Sequence, residues 1–506
     1  MESEESPLPT TATPPRRWRL RFSLRTLVII TPLFALFFAW IGGEKLRHDQ
    51  DQAAAEKIGS RHSFFLATPD EGTWTFSPLQ MDQLLRGRLY HPYTSIEFAH
   101  LQADEDDWIA IGQFAAPKQV TIYSYRGPTT GETFSRLTSI QSLVLWYGEP
   151  TSNDLRQIQQ LRHLRRLRIS PSDDFTGPQN RKNAPTPINF QPPLLDIGPE
   201  PWPELEFLHL SNQQLPVLAM EAIAASTQLQ DLRLVNCVVP PHGLRQLKDL
   251  TELQHLSLIW RPDSLPKNEP ASHGVMDEVT LNHLGRLEKL ETLAFHHAQL
   301  RNFGGDNAPN RWPSLYDLQL DHVHLSKQAV EEIAAIPRLQ SLYVKACTID
   351  PDAMKAFQGA RNLVEVRLSD PGDNELLVEG LASLPQLEAL FFQGETVTDQ
   401  TMKRIAKLND LQFLSLDDTL VSDEGIALLE THPQLLTIQI HGGQVTNSAL
   451  ASLVRIKTLI LPLCAFDSTR IDPNLLDEVR QAAYEGKDVT ALLEQKGIFP
   501  ASPPKP

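Results

Sequence analysis

From Leu205 onward the chain repeats one arrangement of apolar and polar residues, L-x-x-L-x-L: LEFLHL at Leu205, LQDLRL at Leu229, LQHLSL at Leu253, LETLAF at Leu290 and LYDLQL at Leu315. It continues through Leu339, Leu363, Leu387, Leu411 and Leu435 at a constant step of 24 residues, and IKTLIL at Ile456 reads as a further copy. Upstream, IQSLVL at Ile140 and LRRLRI at Leu164 are also 24 apart, with degenerate copies at Pro117 and Tyr93. Apolar and polar residues alternate within each copy, which predicts a short strand with one face buried. Second halves such as VTDQTMKRIAKL (397–408) and VSDEGIALLETH (421–432) have helical spacing. There Thr398, Ser422 and Asp350 stand at N-cap positions, and Asp399 and Asp423 complement the positive helix ends. No unit of this size can bury its leucines alone, so about fifteen of them must stack.

The pattern resembles that of leucine-rich repeat proteins over residues 93–465. ETVTDQTM and DTLVSDEG give it the flavour of the 24-residue bacterial and cysteine-containing subclass. The resemblance implies an α/β fold: a leucine-rich repeat solenoid with parallel strands on a concave face and helices on the convex one. Counted from the first leucine of each unit, Cys237, Cys347 and Cys464 all fall at position 9. In such repeats this position turns inward after the strand, so the three thiols are expected to fill space. Neither a disulfide nor a reactive thiolate is expected from them.

Two steps exceed the repeat. Leu164 to Leu205 spans 41 residues, with a proline-rich insertion near 170–203, and Leu253 to Leu290 spans 37, with a second insertion near 260–280. Both read as surface loops, tolerated by the fold or flanking a binding surface. A solenoid must cover its ends. Residues 62–92, with Phe64, Phe65, Trp74 and Phe76, are the expected N-terminal cap, and 466–498 form a helical C-terminal cap begun by Asp472-Pro473, ahead of a disordered tail at 499–506.

The N-terminus carries a different signal. Five arginines in the tail 1–25 precede an uncharged apolar run, Thr26 to Gly43, of 18 residues with Trp18 and Trp40 at its margins. This predicts a single transmembrane anchor at 26–43, an N-terminus inside, a polar spacer at 44–61, and an exported repeat domain outside the cytoplasmic membrane. The run lacks an A-x-A-like cleavage site, which favours an uncleaved signal anchor. A short arginine-rich anchor before repeats of this kind is similar to membrane-anchored proteins of planctomycete-type bacteria.

Composition changes the picture in two ways. A formal net charge of -16 argues against nucleic acid as a partner, and 3 cysteines in 506 residues exclude a disulfide scaffold. No G-x-S-x-G, H-E-x-x-H or phosphate loop is present, so the chain does not read as an enzyme, and no cofactor is expected. The candidate recognition surface is the set of outward strand positions 3, 5, 7 and 8. The residues singled out there are Trp146, Tyr147, Phe207, Arg233, Trp260, His296, Asp321, Tyr343, Arg367, Phe391 and Phe413. Charges on these positions are mixed, with Arg166, Arg168, Arg233, Lys345 and Arg367 against Asp231, Asp317, Asp321, Glu365, Asp370, Asp417 and Asp418. His255, His296, His297 and His322 lie close to Asp317 and Asp321 in sequence and are residue types of a metal site, but no fixed ligand spacing recurs and no metal is assigned. The expected function is a membrane-anchored scaffold or receptor-like adaptor that binds a protein partner. The alternative is a cell-envelope binder of glycan or peptide, using the Trp146, Tyr147 and Trp260 region.

Overall fold

The computed structural model describes part of residues 46–57, strands at 64–67 and 95–98, and most of 111–498; within the last span, 126–133, 171–193, 261–274, 301–310 and 370–379 are the longest stretches outside the described residues. Among the described residues sixteen strands form one sheet in chain order. They are β1 (Phe64–Ala67), β2 (Ser95–Phe98), β3 (Gln119–Tyr123), β4 (Ser142–Trp146), β5 (Arg166–Ser170), β6 (Phe207–Ser211), β7 (Asp231–Val235), β8 (His255–Ile259), β9 (Thr292–His296), β10 (Asp317–Asp321), β11 (Ser341–Lys345), β12 (Glu365–Ser369), β13 (Ala389–Gln393), β14 (Phe413–Asp417), β15 (Thr437–His441) and β16 (Ala465–Asp467). β1 pairs antiparallel with β2, and β2 onward pair in parallel, each with its sequence neighbour.

Parallel neighbours need a connection that returns the chain to the same edge. Among the described residues helices supply it in several coils: α1 (Ser152–Gln159), α2 (Val217–Ala225), α3 (Glu278–Leu284), α4 (Lys327–Ala334), α5 (Asp399–Ile405), α6 (Asp423–Ala427) and α7 (Ala449–Arg455). The core lies between sheet and helices. In β10, Leu318 and Leu320 are fully buried while Asp317 and Gln319 point to the other face, and Leu315 before the strand is buried as well. From the helical side Val330 and Ile333 close over the same layer. The chain therefore forms a leucine-rich repeat solenoid.

Two repeated devices hold one coil to the next. The first is a left-handed residue at position 8, with positive φ at Tyr147, Asn212, Asn236, His297, His322, Ala346, Gly394, Asp418 and Gly442. It turns the chain off the sheet while its N–H still donates to the adjacent strand, as from His322 to Lys345 O at 2.8 Å. Asn and Asp tolerate this conformation and glycine adopts it without strain, which explains much of the composition there.

The second device is a carboxylate ladder along the helix starts. Asp399 accepts from the N–H and hydroxyl of Ser422 in the next coil, at 2.8 and 2.7 Å. Asp423 does the same for Thr446, at 2.7 and 2.5 Å. Asn447 then accepts from the Asp472 N–H at 2.7 Å. The aspartates thus join neighbouring coils besides facing helix ends. Gly425 leaves room for the first rung, since a Cβ there would meet Asp399 Oδ1 and Val421 Cγ1.

The unit read at Ile456 departs from the expected register. No strand forms at 458–462; Leu461–Leu463 make a 3₁₀ turn and β16 follows, pairing Gln439 with Ala465. Pro462 stands where a strand residue would have to donate to β15, and it has no N–H. Cys464 therefore precedes a strand and does not share the site of the other two. Cys237 and Cys347 do share one: their thiols point to Leu210 O at 3.3 Å and Leu320 O at 3.4 Å. All three cysteines are free and buried. Burial pushes the Cys347 thiol up to about 11, so it is a packed, unreactive group.

The end of the first insertion belongs to the solenoid. Leu194 bridges to Gln214, and Leu195, Ile197 and Trp202 are buried. At the end of the second, Val275–Met276 pairs with Gln299–Leu300 and leads into α3. Helical residue Ala54, in the stretch read as a polar spacer, is fully buried within the core cluster. The C-terminal end is covered by α8 (Pro473–Tyr484) and α9 (Val489–Gln495), which bury Val479 and Leu493. Among the described residues no helix is long and apolar enough to cross a membrane, and the apolar run 26–43 lies outside them, as do Trp74, Phe76 and the 499–506 tail.

Candidate functional site

Strand alternation sets the outward face of the sheet, and its residues gather into three groups. In the first, Tyr123 stacks on Trp146 with centroids 6.4 Å apart, and the Arg168 guanidinium lies 3.7 Å from the Trp146 ring centroid. Phe207 is flanked by two guanidiniums, Arg166 at 5.2 Å and Arg233 at 5.4 Å. Arg233 is held by Asp231 through two bonds of 3.0 and 2.8 Å, which raises its already high pKa against the opposing effect of burial. Tyr147 follows Trp146 and is 43% exposed.

The second group centres on Asp321, which is buried. His296 Nδ1 lies 3.2 Å from one carboxylate oxygen, His322 Nδ1 2.5 Å from the other, and Lys345 Nζ 3.9 Å away. The His297 and His322 rings stack at 4.1 Å. Burial acts to raise the Asp321 carboxyl, but the hydrogen bonds from both histidines, followed by the charges of His296 and Lys345, outweigh it and hold the group at about 2. Asp321 therefore contributes stability that is present above its ordinary value of 3.8 and lost as pH falls through about 2. Relative to Asp321→Asn, the native chain should hold an advantage on the order of 2 kcal/mol near neutral pH. Denaturant melts of both proteins from pH 7 to pH 2 should show that advantage shrinking below about pH 4. Among the described residues, no group of three or more His, Cys, Asp or Glu side chains is arranged to hold a metal ion.

The third group surrounds a hollow of about 680 Å³ across β10 to β14. Tyr343 and Phe391 wall it, Gln319 and Ser415 line it, and Asp317, Glu365 and Asp417 bring carboxylates to it. Arg367 Nε is 2.5 Å from Glu365 Oε1, and its guanidinium carbon is 4.3 Å from the Phe391 ring centroid. Phe413 packs on Phe391 with centroids 4.8 Å apart. Gln319 donates to Asp317 at 2.7 Å.

The structure thus separates the residues singled out from sequence. Tyr343, Arg367, Phe391 and Phe413 come together; Asp321 and His296 lie one and two strands away; Trp146, Tyr147, Phe207 and Arg233 form another patch. Nine strand spacings separate β4 from β13, roughly 40 Å along the sheet. Trp260 belongs to none of these groups. It is 3% exposed, and its indole N–H donates to Cys237 O at 3.2 Å. Among the described position-8 residues of regular coils, Trp260 alone lacks a positive φ. Gln319 and Ser415 were not singled out, and Asp417 was named only among the charges of the face, although each occupies position 5 or 7 beside a chosen residue.

No protein family model and no curated protein matches the chain. Among solved structures it is similar to an internalin from Listeria monocytogenes, 17% identical over 70% of this chain and 88% of that one, with a TM-score of 0.37. It is also similar to a leucine-rich repeat protein from Leptospira interrogans, 17% identical over 77% of this chain and 99% of that one, with a TM-score of 0.37. The leucine-rich repeat ectodomain of a plant membrane receptor kinase from Arabidopsis thaliana, solved in complex with Casparian strip integrity factor 2, is 14% identical over 72% of this chain and 51% of that one, with a TM-score of 0.31.

Proposed function

We propose that the chain is a protein-binding scaffold that recognises its partner on the outward face of the sheet, tethered to the cytoplasmic membrane through residues 26–43 with the repeats outside. The observation that carries the reading is the hollow walled by Tyr343 and Phe391. Paired aromatic rings and a guanidinium, fixed on neighbouring strands, offer contact area at small entropic cost. The absence of a recognisable catalytic motif in the sequence agrees with a binding role. The tether rests on the apolar run and the arginines before it.

A photo-reactive side chain in place of Phe413, compared with one in place of the exposed Glu331 on α4, tests the surface. With the full chain in detergent and envelope extract, the Phe413 position should label one discrete protein and the Glu331 position should not. Labelling from Glu331 with none from Phe413 would overturn the assignment.

A further inference from the structure

The charges on the outward face are not evenly mixed once the strands are placed. On β4 to β8 the described charged residues are Arg166, Arg168 and Arg233 against Asp231. On β9 to β16 the strands carry Lys345 and Arg367 against Asp317, Asp321, Glu365, Asp417 and Asp467. The hollow lies in this acidic half. Among its lining residues Arg367 is the only cation, and Glu365 engages it. Among the described residues, Asp417 has Asp418 beside it and no cationic partner besides the neighbouring His441. Partial burial, followed by the opposing influence of His441 and the repulsion of Asp418, leaves its carboxyl raised from the usual range.

Resting on the scaffold reading above, we propose that the hollow takes a basic side chain, arginine or lysine, from an extended segment of the partner protein, with its stem against Tyr343 and Phe391 and its charged head at Asp417. Three physical arguments favour that occupant. A neutral side chain would cover the Asp417 carboxylate and strip its water without replacing it. An acidic side chain near Asp417 would meet a like charge, in a hollow that Asp317 and Glu365 also line with carboxylates. A basic one supplies the missing countercharge, lays its methylene stem on apolar rings, and gains from the ring faces as a cation does. The volume of about 680 Å³ falls within the roughly 300–1,000 Å³ usual for sites that take a drug-sized ligand, which leaves room for a basic side chain together with its flanking backbone.

The test uses the full chain and three fluorescein-labelled peptides, Gly-Ser-Arg-Gly-Arg-Ser-Gly and its Leu and Glu counterparts, read by anisotropy at about 150 mM salt, where long-range attraction is largely screened. The arginine peptide should bind at least about tenfold more tightly than the other two. Asp417→Asn should remove most of that preference, while Glu424→Gln, a neutralisation at an exposed position on α6, should leave it unchanged. Equal weakening by both substitutions, or by neither, would mean general attraction to a chain of net charge -16 and would overturn the proposal. Equal binding of the leucine peptide, or no preference among the three, would overturn it too. Either outcome leaves the scaffold reading standing as long as the Phe413 position still labels a partner; loss of that labelling is what defeats the scaffold reading.

Discussion

Trp202→Ala should lower the stability of the coils around β5 and β6 by about 3–5 kcal/mol. Trp202 is 2% exposed, its indole N–H donates to Ile158 O at 3.3 Å, and its backbone N–H donates to Ser226 Oγ at 3.0 Å. Truncation leaves a cavity between α1 and α2 and removes the indole bond to the Ile158 carbonyl, which keeps its backbone donor, Leu161 N–H at 3.1 Å. In a solenoid each coil rests on its neighbours, so the loss should spread to the adjoining coils and split the unfolding transition. Denaturant unfolding followed by circular dichroism should show an early phase in Trp202→Ala and a smaller one in Trp202→Phe. Unfolding of Trp202→Ala together with the native chain would show that this stretch is a surface loop after all.

The second large effect concerns binding. Tyr343→Ala combined with Phe391→Ala should weaken binding to the labelled partner by about 100-fold or more, since each buried aromatic at the centre of an interface is worth about 2 kcal/mol or more. Stability should change little, because both rings face the hollow while the core residues Leu342, Val344, Leu390 and Phe392 remain. Immobilised native and double-variant chains, titrated with the partner, give the ratio directly. An unchanged affinity would place recognition elsewhere on the solenoid.

The fold was legible because its signal is repeated. A leucine spacing kept at a step of 24 from Leu315 to Leu435 fixes strand, register and stacking at once. The register failed where a single residue overrode the pattern: Pro462 removed a donor, and β16 formed further along. Trp202 was hidden inside a proline-rich stretch that reads as a loop, because a lone buried aromatic has no period to reveal it. The site was legible only in part. Alternation placed Tyr343, Phe391 and Phe413 on the outward face, but position 8 follows a left-handed turn that alternation does not describe, and Trp260 departs even from that. Charge was obscured by summation. The residues summed to a mixed set when taken as one surface; because the strands stack in chain order, their positions along the sequence already divide a more basic first half from an acidic second half.

Hydroxyl-radical footprinting of the full chain, free and bound to the labelled partner, tests the central claim most directly because its readout is oxidation of aromatic side chains. The account predicts that Tyr343, Phe391 and Phe413 become protected on binding while Tyr484, 80% exposed on the C-terminal cap, stays reactive. Protection at Tyr484 with no change at those three rings would contradict it.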